Sequence, residues 1–316
     1  MTALTWLPPP CNVKEVNALR AWLSDLLEKI TDTGLIQTSD TGQLVPATVP
    51  LPTTGSNSGS VQIGYWIFRF DDDMQAVAPI FLRVEIRVSG SAGDHIPVFS
   101  VTIGTGTDGA GAITGLQTTL NSTGDITTGS SLPSLTVNSA SSICYSPERG
   151  FFGILYQPGN YRDPSNRQVV RSPMAFFVSR TQLPNGEATD EGVSLYAQGS
   201  TSANSQSSNT WSNTYLQAAF IDFAVGVVTT AGSGTAVPTL SLPTIRDGKY
   251  VLQRAYHHGI GAPCHNLLLY PVSIGNADIE VVSGGTVPAM FKPLGTLWGG
   301  RPTSLTSDFA LALLSE

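Results

Sequence analysis

The spacing of the hydrophobic positions changes along the chain, first helical and then alternating. From Asn12 to Gly34, the residues Val13, Val16, Leu19, Trp22, Leu23, Leu26, Leu27 and Ile30 recur every three or four positions, the signature of one apolar helix face. Asn12 is placed to cap the first turn with Glu15 three residues on, and Gly34 is placed to end the helix. Ahead of it, Pro8-Pro9-Pro10 hold the backbone extended. Such a stripe covers either the domain's own core or a neighbouring subunit. We read Val16, Leu19, Trp22, Leu23, Leu26, Leu27 and Ile30 as a docking face, with the Pro-led arm tying the subunit to its neighbours.

From Val61 onward the period is two. Leu82, Val84, Ile86 and Val88 alternate with Arg83, Glu85 and Arg87, giving a strand with one apolar face and a plus, minus, plus ladder on the other. Phe99, Val101 and Ile103 alternate with Ser100 and Thr102 beyond a Gly/Ser loop, so these two strands form a hairpin. Further strands are predicted at Gly64 to Phe70, Gly150 to Tyr156, Met174 to Arg180, Val193 to Gln198, Tyr215 to Val228, Tyr250 to Tyr256, Asn266 to Val272 and Asp278 to Val282. Strands at this spacing without intervening helical patterns predict an all-β protein. Its architecture is an antiparallel β-sandwich or jelly-roll-like fold with one N-terminal amphipathic helix.

Pro46, Pro50 and Pro52 with Gly42, Gly55 and Gly59 mark a linker before the first long strand. The expected organisation is therefore 1–60 as arm, helix and linker, 61–190 as a β-sandwich domain, and 191–316 as a second β region or a continuation of the same sandwich.

Composition sharpens this picture. Of 316 residues 12% are charged, against about 25% in an ordinary soluble domain. The deficit is concentrated: between Gly192 and Ile245 the only charged side chain is Asp222, and between Ala110 and Pro147 it is Asp125. Depletion of charge marks the core of a protein interface, so these tracts are expected to be covered by copies of the chain or by partner proteins. A net charge of −7 argues against nucleic acid, whose binders cluster Lys and Arg. The start lacks a basic segment followed by an apolar one, so synthesis in a cytoplasm is expected. The longest apolar stretch, Leu216 to Val228, contains Gln217 and Asp222 and is shorter than the roughly 20 residues of a membrane span. Cys11, Cys144 and Cys264 are odd in number and far apart, and read as small buried hydrophobes.

Catalytic patterns are weak. Gly104-Thr-Gly106-Thr-Asp-Gly109 matches the dinucleotide-binding spacing after a strand, but Gly111 and Gly115 fall where the phosphate-binding helix would begin, so it reads as a turn. His257, His258, Cys264 and His265 are the one cluster of metal-type residues. Neighbouring strand residues point to opposite faces, which disfavours zinc, and no metal or other cofactor is expected. Asp71-Asp72-Asp73 reads as a solvated loop rather than a calcium site, because the glycine and distal glutamate of a calcium loop are missing. A polysaccharide-cleaving enzyme needs two carboxylates facing across a groove, and acids such as Asp190 and Glu191 show no such pairing in sequence. Trp211, in an uncharged Ser/Asn-rich stretch, and Tyr161, beside glycine and proline, are the candidates for a ligand-binding loop.

The run Val77-Ala-Pro-Ile80-Phe-Leu-Arg-Val-Glu-Ile86, then Gly90-Ser-Ala-Gly93, Pro97 to Gly104, and Thr105 to Gly115 resembles a segment of virion structural proteins of tailed bacteriophages. There the order strand, Gly/Ser loop, strand, G-T-G-x-D-G-x-G recurs in tail, baseplate and fibre-region components. The resemblance spans about 55 residues, from Gly64 to Thr118. It implies a non-enzymatic, multi-copy structural subunit located in the virion, whose partners are other virion proteins and copies of itself. The alternatives are a receptor- or glycan-binding β-sandwich protein contacting a host surface glycan, and a capsid decoration protein.

Overall fold

The computed structural model describes residues 3–6, 16–50, 61–89, 96–122, 142–156, 161–162, 168–169, 174–183, 186–200, 214–231, 244–246, 249–251, 253–256, 263–271, 279–281, 289–293 and 309–314. The chain begins with β1 (Ala3–Trp6), α1 (Val16–Asp32), β2 (Ile36–Gln37), β3 (Val61–Arg69), β4 (Phe81–Ser89), β5 (Ile96–Thr107) and β6 (Ile113–Ser122). It continues with β7 (Ser142–Ser146), β8 (Phe151–Tyr156), β9 (Tyr161–Arg162), β10 (Gln168–Val169), β11 (Met174–Gln182), β12 (Ala188–Ser200), β13 (Thr214–Asp222) and β14 (Val227–Ala231). It ends with β15 (Thr244–Arg246), β16 (Lys249–Val251), β17 (Gln253–Tyr256), β18 (Pro263–Pro271), β19 (Ile279–Val281), β20 (Ala289–Pro293) and β21 (Phe309–Leu314).

The fold is all-β with one N-terminal helix. Strands β2 to β6 form a five-stranded antiparallel meander, and β1, β7, β8, β11, β12, β13 and β14 form a seven-stranded antiparallel sheet. Alternation decides how they pack. Trp66 and Phe68 on β3, Leu82, Val84 and Ile86 on β4, and Phe99, Val101 and Ile103 on β5 share one core with the seven-stranded sheet. That sheet contributes Ile143 and Tyr145 on β7, Phe152 and Ile154 on β8, Phe176 and Val178 on β11, and Val193, Leu195 and Ala197 on β12.

The opposite face of the seven-stranded sheet is buried as well. Phe151, Phe177, Tyr196 and Phe220 alternate with the core positions and are at most 5% exposed, with Phe151 and Phe177 stacked at 6.1 Å. Strand β18 comes against β11 from the third sheet, ordered β15-β16-β19-β20-β21-β18-β17, in which only β16 and β19 pair in parallel. A sheet apolar on both faces accounts for much of the missing charge. The tract from Gly192 to Ile245, expected to be covered by other chains, is covered over Val193 to Ala197 and Ala219 to Ile221 by this chain itself.

The helix also turns inward. Leu19, Trp22, Leu23, Leu26 and Ile30 are at most 4% exposed and belong to the sandwich core, Leu27 packs half-buried against it, and Val16 is half-buried. For Leu19, Trp22, Leu23, Leu26 and Ile30 the docking role expected from the sequence is corrected: a side chain sealed by its own chain has no surface to offer another. Gly34 follows the helix with φ +95°, its N–H donating to the Thr31 carbonyl at 2.9 Å. Asn12 and Val13 lie outside the described residues.

Three boundaries also move. The arm is not free over Ala3 to Trp6, because those residues pair with β7 as an edge strand. Residues 41–50, expected as linker, are folded onto the sandwich: Leu44 and Val49 are buried, the Trp66 indole donates to the Leu44 carbonyl at 2.9 Å, and Arg20 Nε donates to the Val49 carbonyl at 2.9 Å. The boundary drawn at 190 falls inside β12, which pairs with β11 on one side and β13 on the other. The long strand predicted from Tyr215 to Val228 is a hairpin, because Asp222 Oδ1 accepts from the Ala224 and Val225 amides and Gly226 takes φ +68°.

Candidate functional site

Asp72, the middle residue of the triple-aspartate loop, is not solvated. Its carboxylate receives Arg180 Nε at 2.7 Å and Nη2 at 2.9 Å, a two-pronged pair whose side chains are 4% and 0% exposed. Arg180 Nη1 donates to the Ala78 carbonyl at 2.7 Å, and the guanidinium lies 5.8 Å from the Phe70 ring centre. Arg180 reaches this position from β11 because Gly150, with φ +54°, leaves room: a Cβ there would stand 2.6 Å from its Cγ and Cδ. Beside it the Asp71 amide donates to Tyr145 Oη at 2.7 Å. Burial, the largest influence, raises the Tyr145 phenol well above its ordinary value, with the Asp72 and Asp71 carboxylates adding to the effect. This junction ties the loop before β4 to the seven-stranded sheet, and every charged atom in it has a partner from within the chain. Asp73 and Asp71 remain exposed.

The glycine-rich segment is a hairpin turn and not a phosphate cradle. Gly104 to Thr107 continue β5, and only 108–112 leave the ladder. Asp108 Oδ1 accepts from the amides of Ala110 at 2.8 Å and Ala112 at 2.9 Å, which holds its carboxyl below the usual value, Ala112 contributing most. The Gly109 carbonyl receives the Thr41 amide at 2.9 Å, and Tyr65 Oη donates to the Thr41 carbonyl at 3.0 Å. Gly111, at φ +108°, is required where it stands, because a Cβ would lie 1.9 Å from Tyr65 Oη. The amides of Asp108, Ala110 and Ala112 are thus engaged by the protein's own oxygen atoms.

On the outer face of the five-stranded sheet, Glu85 bridges Arg83 at 2.8 Å and Arg87 at 2.6 Å, and the Arg83 guanidinium lies 4.4 Å from the Tyr65 ring centre. This is the charge ladder of β4, with the carboxylate itself buried.

Tyr161 lies in β9, Cys264 and His265 lie in β18, and Trp211, His257 and His258 lie outside the described residues. Asp190 and Glu191 are exposed neighbours on β12. Among the described residues no three His, Cys, Asp or Glu side chains are grouped as a metal site, and no helix is long and apolar enough to cross a membrane.

One surface feature escaped the sequence reading. The turn joining β13 to β14 and the first residue of β14 present Val225 at 69% and Val227 at 50% exposure. Inside an apolar run these valines look like core, and the signal that could have exposed them is the pair Asp222 and Gly226, which make the turn.

No protein-family model matches the chain, and no curated protein or solved structure matches it either.

Proposed function

We propose that this chain is a non-enzymatic structural subunit of a bacteriophage virion, in the tail, baseplate or fibre-attachment region, assembling through uncharged surfaces. The observation that carries the proposal is the use made of the acids and bases. Asp72 and Arg180 join two layers, Asp108 organises a turn, and Glu85 bridges two arginines on one strand. Each cluster serves the scaffold, while the tip at Val225 and Val227 offers apolar side chains to water. The bacteriophage-like segment supports the placement: it spans β3 to β6, one sheet of the sandwich with its tied-down turn.

The test is mass spectrometry and antibody-gold labelling of particles purified from cells that produce the protein. The chain is expected in the particles at fixed, multiple copy number and at one location. A chain that stays wholly in the soluble fraction while complete particles form without it would refute the proposal.

A further inference from the structure

We infer that the outer edge of β14 is where a second copy of this chain adds, strand to strand, so that the seven-stranded sheet continues across a two-fold axis. The inference rests on the assembly reading above and gives it a surface. Among the described residues β14 ends the sheet order and pairs with β13 alone, in an unbroken register from Ala218↔Ala231 to Asp222↔Val227. An edge strand presents a row of unpaired amides and carbonyls, and proteins that must stay apart blunt it with lysine, proline, a bulge or brevity. Val227–Ala231 carries none of these. The two edges of the five-stranded sheet do: β2 has two residues, and β6 follows a register shift between Gly104 and Gly106.

The occupant follows from charge. A two-fold axis sets an edge against its own copy, so a charge at its centre would meet its like, and one away from the centre would need an opposite charge on the same strand to face it. From Phe223 to Ile245 there is none. Centring the axis on Thr229, the middle of the strand, places Thr229 opposite its equivalent, Val228 opposite Thr230, and Val227 opposite Ala231. Threonine pairs and apolar pairs are favourable cross-strand neighbours. The nearest charges, the two Asp222 carboxylates, then lie at opposite ends of the paired strands.

The experiment uses the full chain. Sedimentation over a concentration series is expected to show a dimer, weakened about tenfold or more by Val227→Lys and by Thr230→Lys, both at exposed positions, and unchanged by Val45→Lys, at an exposed position elsewhere. Under mild oxidation Thr229→Cys is expected to form a reducible dimer, since opposed antiparallel residues stand about 4.5 to 5.5 Å apart, within disulfide reach. Val225→Cys, displaced from the axis, is not. A dimer indifferent to both lysine variants, or equal linkage at the two cysteine positions, overturns the edge. A chain that stays monomeric yet is found in particles overturns self-pairing and leaves the structural role standing. A chain absent from particles that still dimerises through β14 sinks the virion role alone.

Discussion

Asp72→Asn removes one charge of the Asp72–Arg180 pair and keeps its shape. Arg180, 0% exposed, then retains a full positive charge with neutral acceptors only, the Ala78 carbonyl and the new amide oxygen. Breaking a buried pair from one side costs about 3 to 5 kcal/mol, because the remaining charge has neither water nor a counter-charge. At about 2 to 4 °C per kcal/mol for a domain of 150 to 250 residues, the melting temperature should fall by the order of 10 °C. Trp66 and Trp22, buried in the sandwich core at 0% and 4% exposure, report its unfolding by fluorescence in urea or on heating. The companion measurement is the double variant Asp72→Leu with Arg180→Met, which deletes both charges. It should recover more than half of the loss, leaving chiefly the unmet Ala78 carbonyl, about 1 to 3 kcal/mol. A loss below about 1 kcal/mol for Asp72→Asn, or a double variant as unstable as the two singles summed, would refute the view that a sealed charge pair locks the layers.

Three further outcomes follow from the same contacts. Leu26→Ala should lower stability by about 2 to 5 kcal/mol, read as a shift in the urea midpoint, because Leu26 is fully buried in the sandwich core; a shift near zero would restore the helix as an exposed docking face. Gly111→Ala should cost about 1 to 3 kcal/mol through its positive φ, and by pushing Tyr65 off the turn should loosen the Thr41 amide's bond to the Gly109 carbonyl, visible as faster amide exchange at Thr41. The Asp108 carboxyl titrates lower folded than its ordinary 3.8, so its contribution is complete above that value and is lost as pH falls through the folded one. Asp108→Asn should lower stability across the neutral range, where that contribution is complete, and the gap from the parent should close as pH falls through the folded value.

Two elements were legible in full because each depends on local periodicity. The alternation in Phe81–Ser89 and the three-four spacing in Val16–Asp32 report which positions face away from water, and the structure keeps both. The hairpin at Asp222 to Gly226 was legible in principle, since an aspartate that caps amides and a glycine able to take positive φ are turn chemistry. The hydroxyl-rich β6 was not, because Thr, Gln and Asn alternating with few apolar residues look like loop until a neighbouring strand supplies the ladder.

The sequence by itself determined an all-β chain with one amphipathic helix, poor in charge and turning at glycines, because backbone preference and side-chain polarity act within a few residues. What covers an apolar face is a different quantity, and only the tertiary structure decided it. A stripe such as Leu19 to Ile30 is the same whether it meets its own sheet or another chain, and the uncharged stretch Val193 to Ala197 of β12 is the same whether its second face meets a partner or the chain's own aromatics. Nothing near Asp72 separates it from Asp71 and Asp73. Its partner lies 108 residues away, and burial makes that pairing consequential by removing the water that would otherwise screen it.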